Sequence, residues 1–240
     1  MPEFIQIIVD ALPNLLQGAL VTLFLTAISV VFGMIGGALI GIARLSPIKP
    51  ISLAARCYID FFRGTPLLVQ LFMIYFGLPA IVQQLGLQFQ MNQLTAAILG
   101  LSLNSAAYLA EIIRGGIQSI ETGQREAAES LGLGSVQTMA YVIFPQAFRR
   151  MIPPLGNEFI TLLKDTSLVA VIGFAELFRR GQLIVAQNYR SFEIYTAVAL
   201  VYLVLTLLSS QAFSQLERWM NPVEKAKRQA VVQPGGAVDA

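Results

Sequence analysis

The sequence predicts an all-α, polytopic membrane protein with five transmembrane helices, its N-terminus outside and its C-terminus in the cytoplasm. Three observations carry that prediction. The 240 residues are 55% hydrophobic and only 12% charged, where a soluble domain carries about a quarter charged residues. Uncharged apolar runs reach the roughly 20 residues that cross a bilayer. The basic residues divide unequally between alternate connections.

The elements follow in order. Residues 1–17 hold Glu3 and Asp10 and no basic stretch, so they read as an extracytoplasmic segment rather than a cleaved signal peptide. Residues 18–42 are free of charge and long enough to cross, and Gly33, Gly37 and Gly41 would allow close helix packing. Arg44, Lys49 and Arg56, with Pro47 and Pro50, read as a short basic loop. From Gly64 to Ala110 there is no charge at all, which is too long for one helix. The glutamine-rich stretch 83–93 divides it into spans over 65–82 and 94–110. A coupling region over 115–148 leads to a fourth span, 151–175, interrupted by Glu158, Lys164 and Asp165. A polar loop with Arg179, Arg180 and Arg190 precedes the clean fifth span, 194–216, which ends on Glu217, Arg218 and Trp219 as an interfacial anchor. The transmembrane domain thus covers 18–219, and 220–240 read as a disordered cytoplasmic tail.

Five spans place the termini on opposite sides. Arg44, Lys49, Arg56, Arg63, Arg114, Arg125, Arg149, Arg150, Arg218, Lys225, Lys227 and Arg228 share one side; Arg179, Arg180 and Arg190 take the other. The richer side is cytoplasmic by the positive-inside rule. A net charge of +2 without a basic stripe argues against nucleic acid as a partner. With no His and one Cys, the chain cannot close a disulfide on itself, and no metal site is expected. Cys57 reads as a small apolar residue at a membrane boundary.

Two places carry chemistry. The first is Glu126-Ala127-Ala128-Glu129-Ser130-Leu131-Gly132, a charged, alanine-centred segment between hydrophobic spans. It reads as a short cytoplasmic helix stopped by Gly132 and Gly134 and restarted near Ser135. Its small alanines admit another protein's surface, and Arg125, Glu126 and Glu129 offer that partner charge. The second is the interrupted fourth span. A charge at membrane depth costs about 2.5–3.5 kcal/mol on insertion scales unless it faces a cavity or a partner. Glu158, Thr161 and Asp165 share a helical face and suit a substrate bearing a cation. Asp165-Thr166-Ser167 reads as a helix restart whose amides would face a substrate carboxylate. Lys164 and Asp165 fit a structural pair nearly as well. Asn104 and Gln70, with Ser105, either line the same cavity or hydrogen-bond across helices.

The spacing of Glu126, Ala127, Ala128 and Gly132, closed by Val142, Phe144 and Pro145, resembles the EAA signature of ABC importer membrane subunits. Val142 stands where Ile is usual and Phe144 where Leu is usual. Phe61-Phe62-Arg63-Gly64-Thr65-Pro66-Leu67-Leu68-Val69-Gln70 resembles the polar amino-acid branch (histidine, glutamine, arginine) of that family. Gly156-Asn157-Glu158-Phe159-Ile160, continued by Lys164-Asp165-Thr166-Ser167-Leu168, resembles it too. The resemblance implies a bacterial inner-membrane permease for polar, including basic, L-amino acids. It implies a dimer with a second copy or a paralogue, two ABC ATPase subunits on the EAA helices, and an extracytoplasmic amino-acid-binding protein. Substrate would meet Glu158, Thr161, Asp165, Ser167, Asn104 and Gln70; the ATPase would meet Arg125, Glu126, Ala127, Ala128, Glu129, Leu131 and Gly132. No Gly-Lys pair occurs in the chain, so it has no Walker A loop; ATP and Mg would belong to the partner, and this chain would be no enzyme. The alternative is a carrier driven by an ion gradient through Glu158 and Asp165. Five spans cannot divide into equal inverted repeats, which weighs against it.

Overall fold

The computed structural model describes residues 3–220, and these contain helices and turns only. The predicted tail lies outside the described residues except for Met220, which ends the last helix.

Helix α1 (Glu3–Arg44) runs unbroken for 42 residues, about 63 Å at 1.5 Å per residue. The segment expected outside the membrane is therefore the first part of the same helix, and Pro13 does not break it. That first part is not free: Ala11, Leu15 and Ala19 are buried against Leu177, Ile194 and Val198. Further along, the glycine ridge packs onto α5 (Gln93–Gln118). A Cβ on Gly37 would lie 2.7 Å from Leu109 Cβ, and one on Gly41 3.2 Å from the Ala110 carbonyl oxygen. Only glycine lets the two backbones approach that closely.

The expected basic loop is a helix, α2 (Lys49–Gly64). Pro50 sits in its first turn, where a missing N–H costs nothing. Ala55 and Ile59 form its buried side, so a period of four residues replaces the loop. After Thr65 and Pro66 the chain rises as α3 (Leu67–Phe72) and α4 (Leu78–Gln84), joined by a wide π-type turn over Met73–Gly77. Leu78 N–H reaches back to Met73 O, and Pro79 follows at once. The same device recurs beyond α6 (Thr122–Ser130) and the short α7 (Ser135–Gln137). A π-type turn over Thr138–Ile143 sends Phe144 N–H to Met139 O, and Pro145 comes next. A proline ring clashes with the carbonyl four residues back; the wider turn moves that carbonyl away.

Helix α8 (Phe144–Asp165) tightens into a 3₁₀ turn over Thr166–Ile172 that ends at Gly173, φ 83°. The predicted restart at Asp165 is absent. Thr166 is right-handed helical (φ −55°, ψ −27°) and its N–H already donates to Leu162 O, so no bare amides face a cavity there. The expected polar loop after it is mostly helix, α9 (Leu177–Asn188), followed by α10 (Ser191–Met220).

Among the described residues, four helical segments are long and apolar enough to cross a membrane: Glu3–Arg44, Leu67–Gln84, Gln93–Gln118 and Ser191–Met220. The predicted fourth span falls on α8, which is too charged to join them, with Arg149, Arg150, Glu158, Lys164 and Asp165. Helix α5 is the centre of the bundle. Ala96, Ala97, Leu101, Ala106, Ala107, Leu109 and Ala110 are all buried, and α1, α2, α3 and α8 pack around it.

Candidate substrate-path and coupling sites

Glu158 is half-buried on α8 and faces α5. Ser105 Oγ donates to Glu158 Oε1 at 3.0 Å, and Ser105 is fully buried under the α1 glycine ridge. One partner is little for a half-buried carboxylate, which can accept several hydrogen bonds. Asp165 is half-buried as well, and among the described residues it forms no ion pair with Lys164, which is exposed. Thr161 is exposed and Ser167 half-buried. The Glu158–Thr161–Asp165 stripe therefore differs in burial along its length.

Gln70 and Asn104 come together, but with each other. Gln70 Nε2 donates to Phe62 O (2.9 Å), Thr65 O (3.0 Å) and Thr65 Oγ1 (2.9 Å). Gln70 Oε1 accepts from Asn104 Nδ2 at 3.0 Å, and Asn104 Nδ2 also reaches Phe62 O at 3.3 Å. Gln70 is 2% exposed. Its amide has no donor to spare, so here it staples the Arg63-Gly64-Thr65-Pro66 corner to α5.

Two charged groups were not legible as such in the sequence. Arg114 holds Glu111 by a fork, Nε to Oε1 at 2.9 Å and Nη2 to Oε2 at 2.6 Å. Arg63 Nη1 stands 3.9 Å from the same carboxylate, and Arg63 Cζ lies 5.3 Å from the centre of the Tyr108 ring. The i,i+3 spacing of Glu111 and Arg114 is the local trace of this group; Arg63 joins only through the fold. Glu176 is fully buried. It caps α9 by accepting Phe178 N–H (2.9 Å) and Arg179 N–H (2.7 Å), and it accepts Tyr202 OH (2.8 Å) and Thr22 Oγ (3.4 Å). An acid just before a helical run was the available signal. The arginines behind it are engaged too. Arg180 Nη1 donates to Asn14 at 2.7 Å and Gln17 at 3.1 Å, Arg179 to Gln182 at 3.0 Å, and Arg190 pairs with Glu3 and Glu193.

The EAA segment is α6. Leu133 N–H donates to Ala128 O at 3.2 Å and Gly132 N–H to Glu129 O at 2.9 Å, with Gly132 at φ 84°. That is a complete Schellman stop with glycine in the left-handed position. Arg125, Glu126, Ala127, Glu129, Leu131 and Gly132 are exposed, whereas Ala128 is buried at 4%. Of the two alanines, Ala127 alone is open to another surface. Gln146 Nε2 donates to Gln124 Oε1 at 3.2 Å and ties α6 to α8. Leu131 (83% exposed), Val136 (83%) and Tyr141 (74%) are large, strongly exposed side chains of the same coupling region.

A helical membrane bundle that carries an exposed, glycine-stopped EAA helix defines a transport subunit rather than an enzyme. Comparison with known proteins agrees. The profile of the binding-protein-dependent transport system inner membrane component matches residues 33–222, and the chain belongs to that family. The resemblance read in the sequence is thereby borne out, as is a multi-pass inner-membrane location. The chain is 45% identical over 210 residues to the glutamine transport system permease protein GlnP of Escherichia coli, covering 88% of this chain and 94% of that one. It is 40% identical over 210 residues to the arginine transport system permease protein ArtQ of Bacillus subtilis, with the same coverage. It superposes at TM-score 0.83 on a chain of an amino acid ABC transporter crystallised with histidines, 44% identical, covering 91% of this chain and 99% of that one. A chain of the inward-facing MetNI methionine ABC transporter shares the fold at TM-score 0.72 and 23% identity, covering 87% and 96%.

Proposed function

We propose that this chain is the membrane-spanning permease subunit of an ATP-driven importer for polar L-amino acids, basic ones included. The exposed α6 helix, closed at Gly132, is the observation that carries the reading. A separate ATPase pair docks on Arg125, Glu126, Ala127, Glu129 and Leu131 of two such subunits, the second being another copy or a paralogue. ATP binding draws the ATPases together, and α6 passes the motion to α8 through the Gln124–Gln146 contact and the π-type turn before Pro145. The bundle thus alternates between outward and inward access. An extracytoplasmic binding protein supplies the amino acid. ATP and Mg stay with the ATPase.

The substrate class rests on two supports. Relatives at 45% and 40% identity are named for glutamine and arginine transport. Glu158, half-buried with one hydrogen-bond donor, suits a cationic group of the substrate. Asp165, Thr161 and Ser167 extend that path, while Gln70 and Asn104 hold its wall. In this reading α8 brings the crossing segments to five, as the fourth in chain order, its charges turned to the path, and the N-terminus lies outside. An ion-driven carrier has no use for an exposed docking helix. The test is to purify the chain with its bound partners and measure uptake of glutamine and arginine in proteoliposomes with internal and external ATP. Uptake that depends on an associated ATPase is expected; uptake driven by an ion gradient without it would refute the proposal.

A further inference from the structure

Helix α5 lines up two unbalanced charges. Ser105, Tyr108 and Glu111 succeed one another on it at steps of three, about 4.5 Å apart along the axis, and residues at that spacing are neighbours on a helix surface. Ser105 holds Glu158 at 3.0 Å. The guanidinium of Arg63 lies 5.3 Å from the centre of the Tyr108 ring and 3.9 Å from Glu111. A carboxylate and a guanidinium thus sit beside successive steps of one helix.

Arg63 is the loosely held member of its group. Both oxygens of Glu111 already receive the Arg114 fork, at 2.9 and 2.6 Å, so two guanidinium groups share one carboxylate. At 3.9 Å Arg63 makes no hydrogen bond to Glu111. Among the described residues its remaining contact is the face of Tyr108. Its side chain is 43% exposed, and an ion pair at such a place holds weakly. The backbone beneath it is fixed instead, because Gln70 Nε2 donates to Phe62 O and Thr65 O on either side of it. A planar fork of N–H donors is therefore presented, unspent, from a rigid corner. Glu158 is the opposite case. Among the described residues no basic side chain comes within ion-pairing distance of it. The charge of Arg63 nevertheless acts on Glu158 as it does on Glu111. The two groups are near enough to attract and too far apart to touch.

We infer that Arg63 receives the α-carboxylate of the transported amino acid while Glu158 receives its α-ammonium group. An α-amino acid carries both charges on one carbon. Lying between the two side chains, it gives each a charge-assisted bond of about 2.8 Å. Glu111 and Tyr108 hold the guanidinium while the path is empty, and Glu111 keeps Arg114 when Arg63 leaves it. The pair reads what all α-amino acids share and leaves the substrate's side chain to other walls of the path. This rests on the importer reading only in that Glu158 meets the substrate.

The test compares each amino acid with its decarboxylated analogue. The complex with its ATPase, in lipid nanodiscs and without the binding protein, is given tritiated glutamine or arginine. The competitors are the unlabelled amino acid and its analogue, 4-aminobutanamide or agmatine. The amino acid should bind about tenfold or more tightly than the analogue. In Arg63→Gln its affinity should fall by about the same factor, the analogue's should stay as it was, and the two should compete alike. A preference retained in full overturns the assignment. Equal losses for both ligands overturn it too, because Arg63 would then only support the fold. The unaltered complex gives a second measurement that needs no variant to assemble. Bound amino acid should slow the reaction of Arg63 with phenylglyoxal, read by peptide mass spectrometry, and saturating analogue should not. Equal protection by both, or by neither, overturns the assignment. Affinity that needs Arg63, in a complex whose uptake is driven by an ion gradient, would refute the importer reading and leave this subsite standing.

Discussion

Gly132 offers a test in which the cost can be worked from local geometry. It sits at φ 84°, and a Cβ there would meet nothing within 4 Å. Substitution therefore brings no clash, only the cost of holding an L-residue in the left-handed region, roughly 1–2 kcal/mol. In Gly132→Ala the free protein escapes that cost by unwinding the last turn of α6. The Leu133–Ala128 and Gly132–Glu129 hydrogen bonds are then lost and Leu131 moves. Docking an ATPase on α6 must restore the turn, so affinity should fall by roughly 5- to 30-fold. Asparagine tolerates the left-handed region better, so Gly132→Asn should lose much less. Affinity of the purified permease for its ATPase, measured by biolayer interferometry in nanodiscs, separates the variants. Equal affinity for Gly, Asn and Ala at this position would refute the argument, because the strain would then play no part in docking.

Other perturbations address the path, the scaffold and the topology. Glu158→Gln keeps the shape of the side chain and removes its charge; a charge-assisted bond of roughly 1.5–3 kcal/mol predicts a loss of arginine uptake of about tenfold or more. Glutamine uptake should fall equally if Glu158 holds the α-amino group and less if it reads the side chain, whereas unchanged uptake of both would make Glu158 structural. Glu176→Leu strands two amides and the hydroxyls of Tyr202 and Thr22, at about 1–3 kcal/mol for each donor left unsatisfied. It should lower the melting temperature in detergent far more than Glu176→Gln; equal melting of the two would mean that water replaces the carboxylate. In a Cys57→Ala background, cysteines at Gln88 and Gln187 should react with an impermeant maleimide from outside and one at Ser135 should not. Labelling of Ser135 from outside would invert the orientation.

The apolar runs and the EAA helix were legible because their causes are local. Uncharged runs of sufficient length located α1, the Leu67–Gln84 segment, α5 and α10. Gly132 marks the end of α6 because only neighbours within the turn decide its φ. Helix α2 was missed for the opposite reason. Its prolines and basic residues have loop character by composition, and its helical period is completed by packing Ala55 and Ile59 against the bundle. The restart expected at Asp165 failed likewise, since the chain tightens into a 3₁₀ turn buried at Thr166, Val169 and Ala170.

By itself, the sequence determined that the chain is a helical membrane protein with a glycine-stopped EAA helix, and which residues bear charge or amide groups within the apolar stretches. Only the tertiary structure decided what those groups do. Gln70 meets Asn104 from 34 positions away, and Ser105 meets Glu158 from 53. Glu176 meets Thr22 from 154 positions away. A polar side chain in an apolar bundle must find a partner, and helix pairing sets which partner is within reach. Gln70 and Asn104 satisfy each other and become scaffold. Glu158, with Ser105 its one donor among the described residues, is left with accepting capacity to spare.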